Sequence, residues 1–196
     1  ILFEDRQYAW ISLCVAILSC IPFFLRFERR EADPKRLILI ARMTALSVLG
    51  RIVFAPVPAF KPVTAMVVIT AMYFGCEAGF LTGSLSAVIS NFYFGQGPWT
   101  PFQMFSWGMV GLLAGLVAEP LKKSRLALAL YGIASGVLYS FLMDSWTVLW
   151  EDGALHFSRY LAAIVSAAPF TAIYAVSKVI GRLLCAPPSG KILARL

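Results

Sequence analysis

Charged side chains are scarce in this sequence: they make up 14% of its 196 residues, whereas 60% are hydrophobic. A composition this poor in charge excludes an ordinary soluble domain. The chain has one histidine and four cysteines without a CxxC pair, which indicates neither a metal site nor a disulfide framework. There is no HExxH or GxSxG motif, and Gly190-Lys191 lacks the upstream glycine of a phosphate loop. The sequence therefore predicts no catalytic residue, no bound metal and no nucleotide site.

Apolar runs close to the length that crosses a bilayer follow one another along the chain. They predict an integral membrane protein, an all-α bundle of about seven transmembrane helices that forms a single domain over residues 1–196. The predicted spans are 8–25, 37–54, 63–74, 78–94, 102–118, 126–143 and 160–180.

Basic residues are distributed unevenly among the predicted loops. The segments 26–36, 122–125 and 178–195 hold five, three and four of the seventeen Lys and Arg residues, and they share one side if all seven segments cross. Because basic loops remain in the cytoplasm, we expect the N-terminus outside and the C-terminus in the cytoplasm. The short segment 63–74 is expected to cross, shielded by its neighbours, since a re-entrant segment would abolish this asymmetry.

This topology places three loops rich in Pro, Trp and polar residues on the outer face, at 54–62, 94–101 and 144–157. Indole and carboxamide groups can stack on a small polar ligand and hydrogen-bond to it. Aromatic anchoring at the membrane interface is the alternative interpretation. The predicted ligand-contacting residues are Phe54, Phe60, Lys61, Gln96, Gly97, Pro98, Trp99, Gln103, Trp107, Tyr139, Asp144 and Trp146.

Two arginines lie within a predicted span, Arg42 and Arg51. Each is expected to extend along the helix to the nearer membrane edge, because long basic side chains reach the interface in this way. A structural role is the preferred interpretation for both, with Arg51 as a secondary pocket candidate. The lone histidine, His156, is interpreted as a loop surface residue rather than a metal ligand.

Small residues recur four positions apart, a spacing that puts them on one helix face and allows a second helix to approach closely. Gly75, Gly79 and Gly83 follow this spacing, as do Gly111 and Gly115, and we interpret these glycines as internal packing sites.

Two further segments carry a family resemblance. They read ARMTALSVLGRIVFAPVPAFKPVTAMVVI (41–69) and EAGFLTGSLSAVISNFYFGQGPWTPFQMFSWGMVGLLAG (77–115). They resemble the S component, the substrate-binding membrane subunit, of an energy-coupling factor (ECF) vitamin transporter. The resemblance implies a six-helix core at 37–181, to which 8–25 adds an N-terminal helix. Ala41 and Ala45, near the cytoplasmic end of their span, match the family's docking motif for a transmembrane coupling subunit. The GQGPWTP loop is most similar to the cobalamin-type subgroup.

The resemblance implies that the chain captures a vitamin, cobalamin or a related corrinoid, outside a bacterial cell. The chain would then topple on the coupling subunit within the cytoplasmic membrane and deliver the vitamin inward. ATP and Mg would be held by two cytoplasmic ATPase subunits, so this chain would need no cofactor of its own and would bind no nucleic acid. A different vitamin or precursor remains an alternative, as does a membrane scaffold subunit without transport activity.

Overall fold

A computed structural model describes residues 34–56 and 62–152, together with positions 14, 16–18, 20–22, 24 and 25. Within these residues the regular structure is entirely helical, which confirms the predicted all-α class for this part of the chain. The positions described between 14 and 25 are helical as well. The predicted span 160–180 lies outside the described residues. The helices with defined bounds are α1 (Pro34–Val53), α2 (Val63–Phe74), α3 (Cys76–Phe94), α4 (Thr100–Leu116), α5 (Ala118–Lys123) and α6 (Arg125–Asp152).

Glycines in the left-handed region end two of these helices. Gly75 has φ +90° and separates α2 from α3, and its N–H donates to the carbonyl of Ala71. Gly95 has φ +104° and ends α3, where its N–H donates to the carbonyl of Asn91. Only glycine adopts such angles without strain, so the positions of these two glycines determine where both turns occur.

The sixth span differs from its prediction. We expected it to end at residue 143 and to be followed by a loop over 144–157, but α6 continues to Asp152. No glycine or proline occurs between Gly136 and Gly153, so nothing in the backbone chemistry interrupts the helix. Asp144 and Trp146 are therefore helical residues and do not belong to a loop.

The short helix α2 is enclosed by the other helices. Nine of its twelve residues are buried, and it packs against α1, α3 and α4. A helix that is apolar on all sides is stable in such a position. This burial agrees with the expectation that its neighbours shield it.

The closest helix pair is α3 and α4, which approach through glycines. A β-carbon added to Gly111 would overlap the backbone of Gly79, and one added to Gly83 would overlap the backbone of Trp107. A β-carbon on Gly115 would overlap Cys76. The interpretation as internal packing sites is confirmed for Gly79, Gly83, Gly111 and Gly115. It is wrong for Gly75, where an added β-carbon would meet nothing within 4 Å and the glycine serves the turn instead.

Polar contacts join the helices at the two ends of the bundle. At one end Arg36 pairs with Glu77 at 3.3 Å, linking the start of α1 to the start of α3. At the other end Arg51 and Asn91 join the last turns of the same helices. The two helices therefore run in parallel, as the predicted order of crossings requires.

Within the described part of the chain, length and hydropathy identify fewer membrane-crossing helices than the sequence predicts. Among the described residues, one helical stretch, Arg125–Trp150, is both long and apolar enough to cross a membrane. The helix Val63–Phe74 is apolar but shorter.

Candidate functional site

The candidate site begins with a buried arginine on α1. Arg51 is 8% exposed, and its Nη1 donates to Asn91 Oδ1 at 2.9 Å and to the hydroxyl of Ser90. Its guanidinium carbon lies 4.6 Å from the ring centre of Phe94 and 5.0 Å from that of Trp107. Ring faces attract a cation, so the rings and the two acceptors together hold this charge inside the bundle. The expected extension of Arg51 to the membrane edge is wrong.

Asn91 carries the polar contacts from α3 to α4. It is 1% exposed, and its Nδ2 donates to Gln103 Oε1 at 2.7 Å and to Thr100 Oγ1 at 3.1 Å. Gln103 Nε2 then donates to the hydroxyl of Tyr139 on α6 at 3.1 Å. Four helices are thus joined by consecutive side-chain hydrogen bonds, which satisfy polar groups buried among apolar ones.

The loop between α3 and α4 is fixed by the same network. Thr100 Oγ1 donates to Gln96 Oε1 at 2.9 Å and accepts from the backbone N–H of Gly97 at 3.3 Å. Gln96 Nε2 donates to the carbonyl of Val88 at 2.8 Å, which ties the loop back to α3. The loop therefore has a defined position at this end of the bundle.

An aromatic pair forms one wall of the site. Trp107 and Tyr139 stack with their ring centres 5.4 Å apart and 19° between the ring planes. Trp107 is 3% exposed and packs with Val63, Val67 and Ala87. A rigid stacked pair beside buried amides offers both a flat apolar face and hydrogen-bonding groups.

The structure brings together four of the predicted ligand-contacting residues: Gln96, Gln103, Trp107 and Tyr139. Trp146 is buried elsewhere, with its ring centre 4.8 Å from that of Phe102.

The other predicted contact residues lie around the network or beyond the described part of the chain. Phe54 and Trp99 are exposed, whereas Gly97, Pro98 and Asp144 are half-buried. The ring of Trp99 lies over Gly97, where a β-carbon would overlap it. Phe60, Lys61 and His156 fall outside the described residues.

The sequence analysis did not select Ser90, Asn91 and Thr100. A signal was present, because an asparagine and an arginine within apolar spans indicate function by default. Pairing Arg51 with Asn91 required the packing of α1 on α3, which the sequence does not state.

The chemistry of the site is that of hydroxyl, amide and aromatic groups around one arginine. Among the described residues, no three His, Cys, Asp or Glu side chains lie close enough to hold a metal ion. The hydroxyl, amide and aromatic groups suit a small molecule that stacks and hydrogen-bonds.

A second predicted site lies on α1. Ala41 and Ala45 are both exposed, and so are the large apolar residues Leu46 and Leu49. This helix therefore presents an apolar surface with small residues near the end that carries Arg36.

Fold and site together define a helical protein with a network of buried polar and aromatic side chains at one end of its bundle. Residues 32–187 match the family model described as "ECF-type riboflavin transporter, S component". The chain is 27% identical to a UPF0397 protein of Vibrio atlanticus over 74% of this chain and 80% of the relative. It is 26% identical to a UPF0397 protein of Aliivibrio salmonicida, over 72% of this chain and 76% of that relative. No solved structure matches the chain.

Because the family model covers most of the sequence, the chain belongs to the ECF-type riboflavin transporter S component family. It is accordingly a membrane-embedded, substrate-binding subunit of an ECF transporter, and not itself an enzyme. The cobalamin-type subgroup, which was expected from the GQGPWTP loop, is not supported.

Proposed function

We propose that this S component binds riboflavin, or another molecule with the same ring system, at the network around Asn91 and Gln103. The observation that carries the proposal is the stacked pair of Trp107 and Tyr139 beside these two buried amides. The description of the family supplies the name of the vitamin.

The chemistry of riboflavin matches the groups present. Its isoalloxazine ring is flat and aromatic, and one edge carries two carbonyl groups on either side of an imide N–H. Carboxamides such as Asn91 and Gln103 have both donors and acceptors for such an edge. The ribityl chain of riboflavin is neutral and bears hydroxyl groups, which suit Thr100 and Gln96 at the entrance. A ligand would exchange hydrogen bonds that these side chains now make with one another.

The remaining predicted contacts are proposed to surround the ligand at the outer face. Trp99 and Phe54 are exposed at this end of the bundle, where they can close over a bound ring. The other proposed border residues are Phe60, Lys61, Gly97, Pro98 and Asp144, whereas Trp146 is left out because it packs against Phe102 away from the network.

The proposed transport cycle requires partners on other chains. With the N-terminus outside a bacterial cytoplasmic membrane, the site faces outward and Ala41 and Ala45 lie near the cytoplasmic side. Their exposure on α1 supports docking on a transmembrane coupling subunit, since small residues allow close helix contact. Two ATPase subunits holding ATP and Mg would energise the inward movement.

The proposal is tested by titrating riboflavin with the detergent-purified chain and following the quenching of flavin fluorescence. Trp107→Leu removes the stacking face, and we expect about a tenfold weaker affinity, equivalent to about 1.4 kcal/mol. Phe92→Leu is the matched control, because Phe92 is an exposed aromatic residue beside Asn91 and contributes no face to the site. Its affinity should equal that of the unmodified chain.

Parallel titrations with cobalamin and other vitamins distinguish the alternatives. Binding of another vitamin without riboflavin would retain the S component and reject this ligand. An absence of binding to any vitamin by folded protein would reject the binding function and favour a scaffold subunit.

A further inference from the structure

The hydrogen bonds of the site have a direction that begins at Arg51. A guanidinium group has five N–H donors and no acceptor. Asn91 must therefore turn its oxygen toward Arg51, and the 2.9 Å contact joins Nη1 to Oδ1. Arginine imposes this orientation, because an asparagine side chain by itself could turn either its oxygen or its NH₂ group toward a neighbour.

The constraint passes on from Asn91 to the next helices. With its oxygen committed, Asn91 has only its NH₂ group for Gln103 and Thr100, so Gln103 must accept through Oε1. The NH₂ group of Gln103 then faces Tyr139, whose oxygen accepts at 3.1 Å. The orientation of the donor and acceptor in each side chain of the series is therefore determined by the side chain before it.

Without a group that only donates, the series could run in either direction. Asparagine, glutamine and tyrosine each have both a donor and an acceptor, so reversed amides could make the same number of hydrogen bonds. Arg51 is the member of the series that lacks this freedom. Its burial against Phe94 and Trp107 holds it in place.

We propose that Arg51 is a positioning residue that sets the direction of the hydrogen bonds through Asn91, Gln103 and Tyr139. It thereby sets the pattern of donors and acceptors that the S component offers to its ligand. The consequence for the ligand rests on the proposed function, whereas the direction itself does not.

The direct test is the state of the Tyr139 hydroxyl, measured by ultraviolet resonance Raman spectroscopy. The ratio of the two tyrosine bands near 850 and 830 cm⁻¹ changes in opposite directions when the phenol oxygen accepts and when the phenol donates. Subtracting the spectrum of a Tyr139→Phe variant in each background isolates this residue from the other tyrosines. We expect an accepting oxygen in the unmodified chain.

Two substitutions of Arg51 test whether this residue sets the direction of the hydrogen bonds or only fills space in the bundle. Arg51→Lys keeps a cation that only donates, so the Tyr139 ratio should remain that of the unmodified chain. Arg51→Gln has both a donor and an acceptor, so the ratio should shift toward donation. Arg42→Gln is the control, since Arg42 lies on the same helix but is exposed, and it should change nothing.

A third variant applies where Arg51→Gln does not fold. Asn91→Asp leaves an acceptor for Arg51 but has no donor for Gln103, so it should shift the Tyr139 ratio in the same direction as Arg51→Gln. If folded Arg51→Gln and Asn91→Asp both keep the original ratio, or Arg51→Lys shifts as Arg51→Gln does, the proposal is wrong.

Riboflavin titration adds the functional readout. We expect about a tenfold loss of affinity for Arg51→Gln, equivalent to about 1.4 kcal/mol, and a smaller loss for Arg51→Lys, because misdirected buried groups weaken binding. A purely steric role predicts the reverse order, since neutral glutamine is easier to bury than lysine. If the unmodified chain does not bind riboflavin, the proposed function fails, and the Raman result still decides the role of Arg51.

Discussion

Two buried polar residues on α3 should respond to substitution in opposite ways. Asn91 is 1% exposed and bonds to Arg51, Thr100 and Gln103. Thr82 is 0% exposed, and its hydroxyl has no partner among the described residues. Asn91→Leu and Thr82→Val each remove a polar group and nearly preserve the volume, so the difference between them isolates hydrogen bonding.

The expected changes in the free energy of unfolding follow from the polar groups that each substitution leaves without a partner. Asn91→Leu leaves Gln103 Oε1 without its 2.7 Å donor and removes the 2.9 Å acceptor of Arg51, which keeps its hydrogen bond to Ser90. Each buried polar group left in this way costs about 1–3 kcal/mol, and breaking a contact of a buried charge brings the total to about 3–5 kcal/mol. Thr82→Val orphans no partner, so its effect ranges from none to a stabilisation of about 1–2 kcal/mol.

Thermal unfolding in one detergent, followed by tryptophan fluorescence, measures both effects. At about 2–4 °C per kcal/mol, Asn91→Leu should lower the unfolding midpoint by on the order of 10 °C. Thr82→Val should leave the midpoint unchanged or raise it. The reasoning is refuted if Asn91→Leu unfolds at the same temperature as Thr82→Val, because the network would then contribute no stability.

Three further predictions concern the helix packing, the docking surface and the site entrance. Gly111→Ala places a β-carbon against the backbone of Gly79 and should lower the unfolding midpoint by about 2–8 °C, from an overpacking cost of about 1–2 kcal/mol; a higher midpoint would contradict the close approach. Ala41→Trp or Ala45→Trp should abolish vitamin uptake by cells and leave riboflavin binding by the isolated subunit intact, whereas equal loss of both would exclude the docking assignment. Trp99→Ala should weaken riboflavin binding without changing the unfolding midpoint, and unchanged binding would indicate an interfacial anchor.

Local backbone chemistry explains what the sequence predicted well. The bounds of α2 agree with the predicted span because prolines precede it and Gly75 follows it. The glycines of α3 and α4 were interpreted as packing sites because their spacing places them on one helix face. The end of α6 was predicted wrongly, since acidic and tryptophan residues were treated as loop signals although neither interrupts a helix.

Contacts between distant segments could not be predicted from local backbone chemistry. Gln103, Trp107 and Tyr139 were selected for their chemistry, but nothing in the sequence related them to Arg51. The contact of Arg51 with Asn91 spans forty positions and depends on how far α1 is displaced along α3. One helical turn of displacement would put different side chains opposite each other. Composition cannot determine that displacement.

By hydropathy α6 qualifies as a membrane-crossing helix and α3 does not, and the buried polar residues of α3 explain the difference. The outer surface of α6 carries exposed Leu126, Leu130 and Ile133, so its composition is suited to lipid. By contrast, α3 is enclosed by α1, α2 and α4, and its buried side chains include Ser90 and Asn91. Neighbouring helices can satisfy such polar groups, whereas lipid cannot. The polar residues that lower the hydropathy of α3 are therefore tolerated because the helix is enclosed. Two of them supply the hydrogen-bonding groups of the candidate site, so an enclosed helix that carries polar residues is where a ligand site is to be sought in such a bundle.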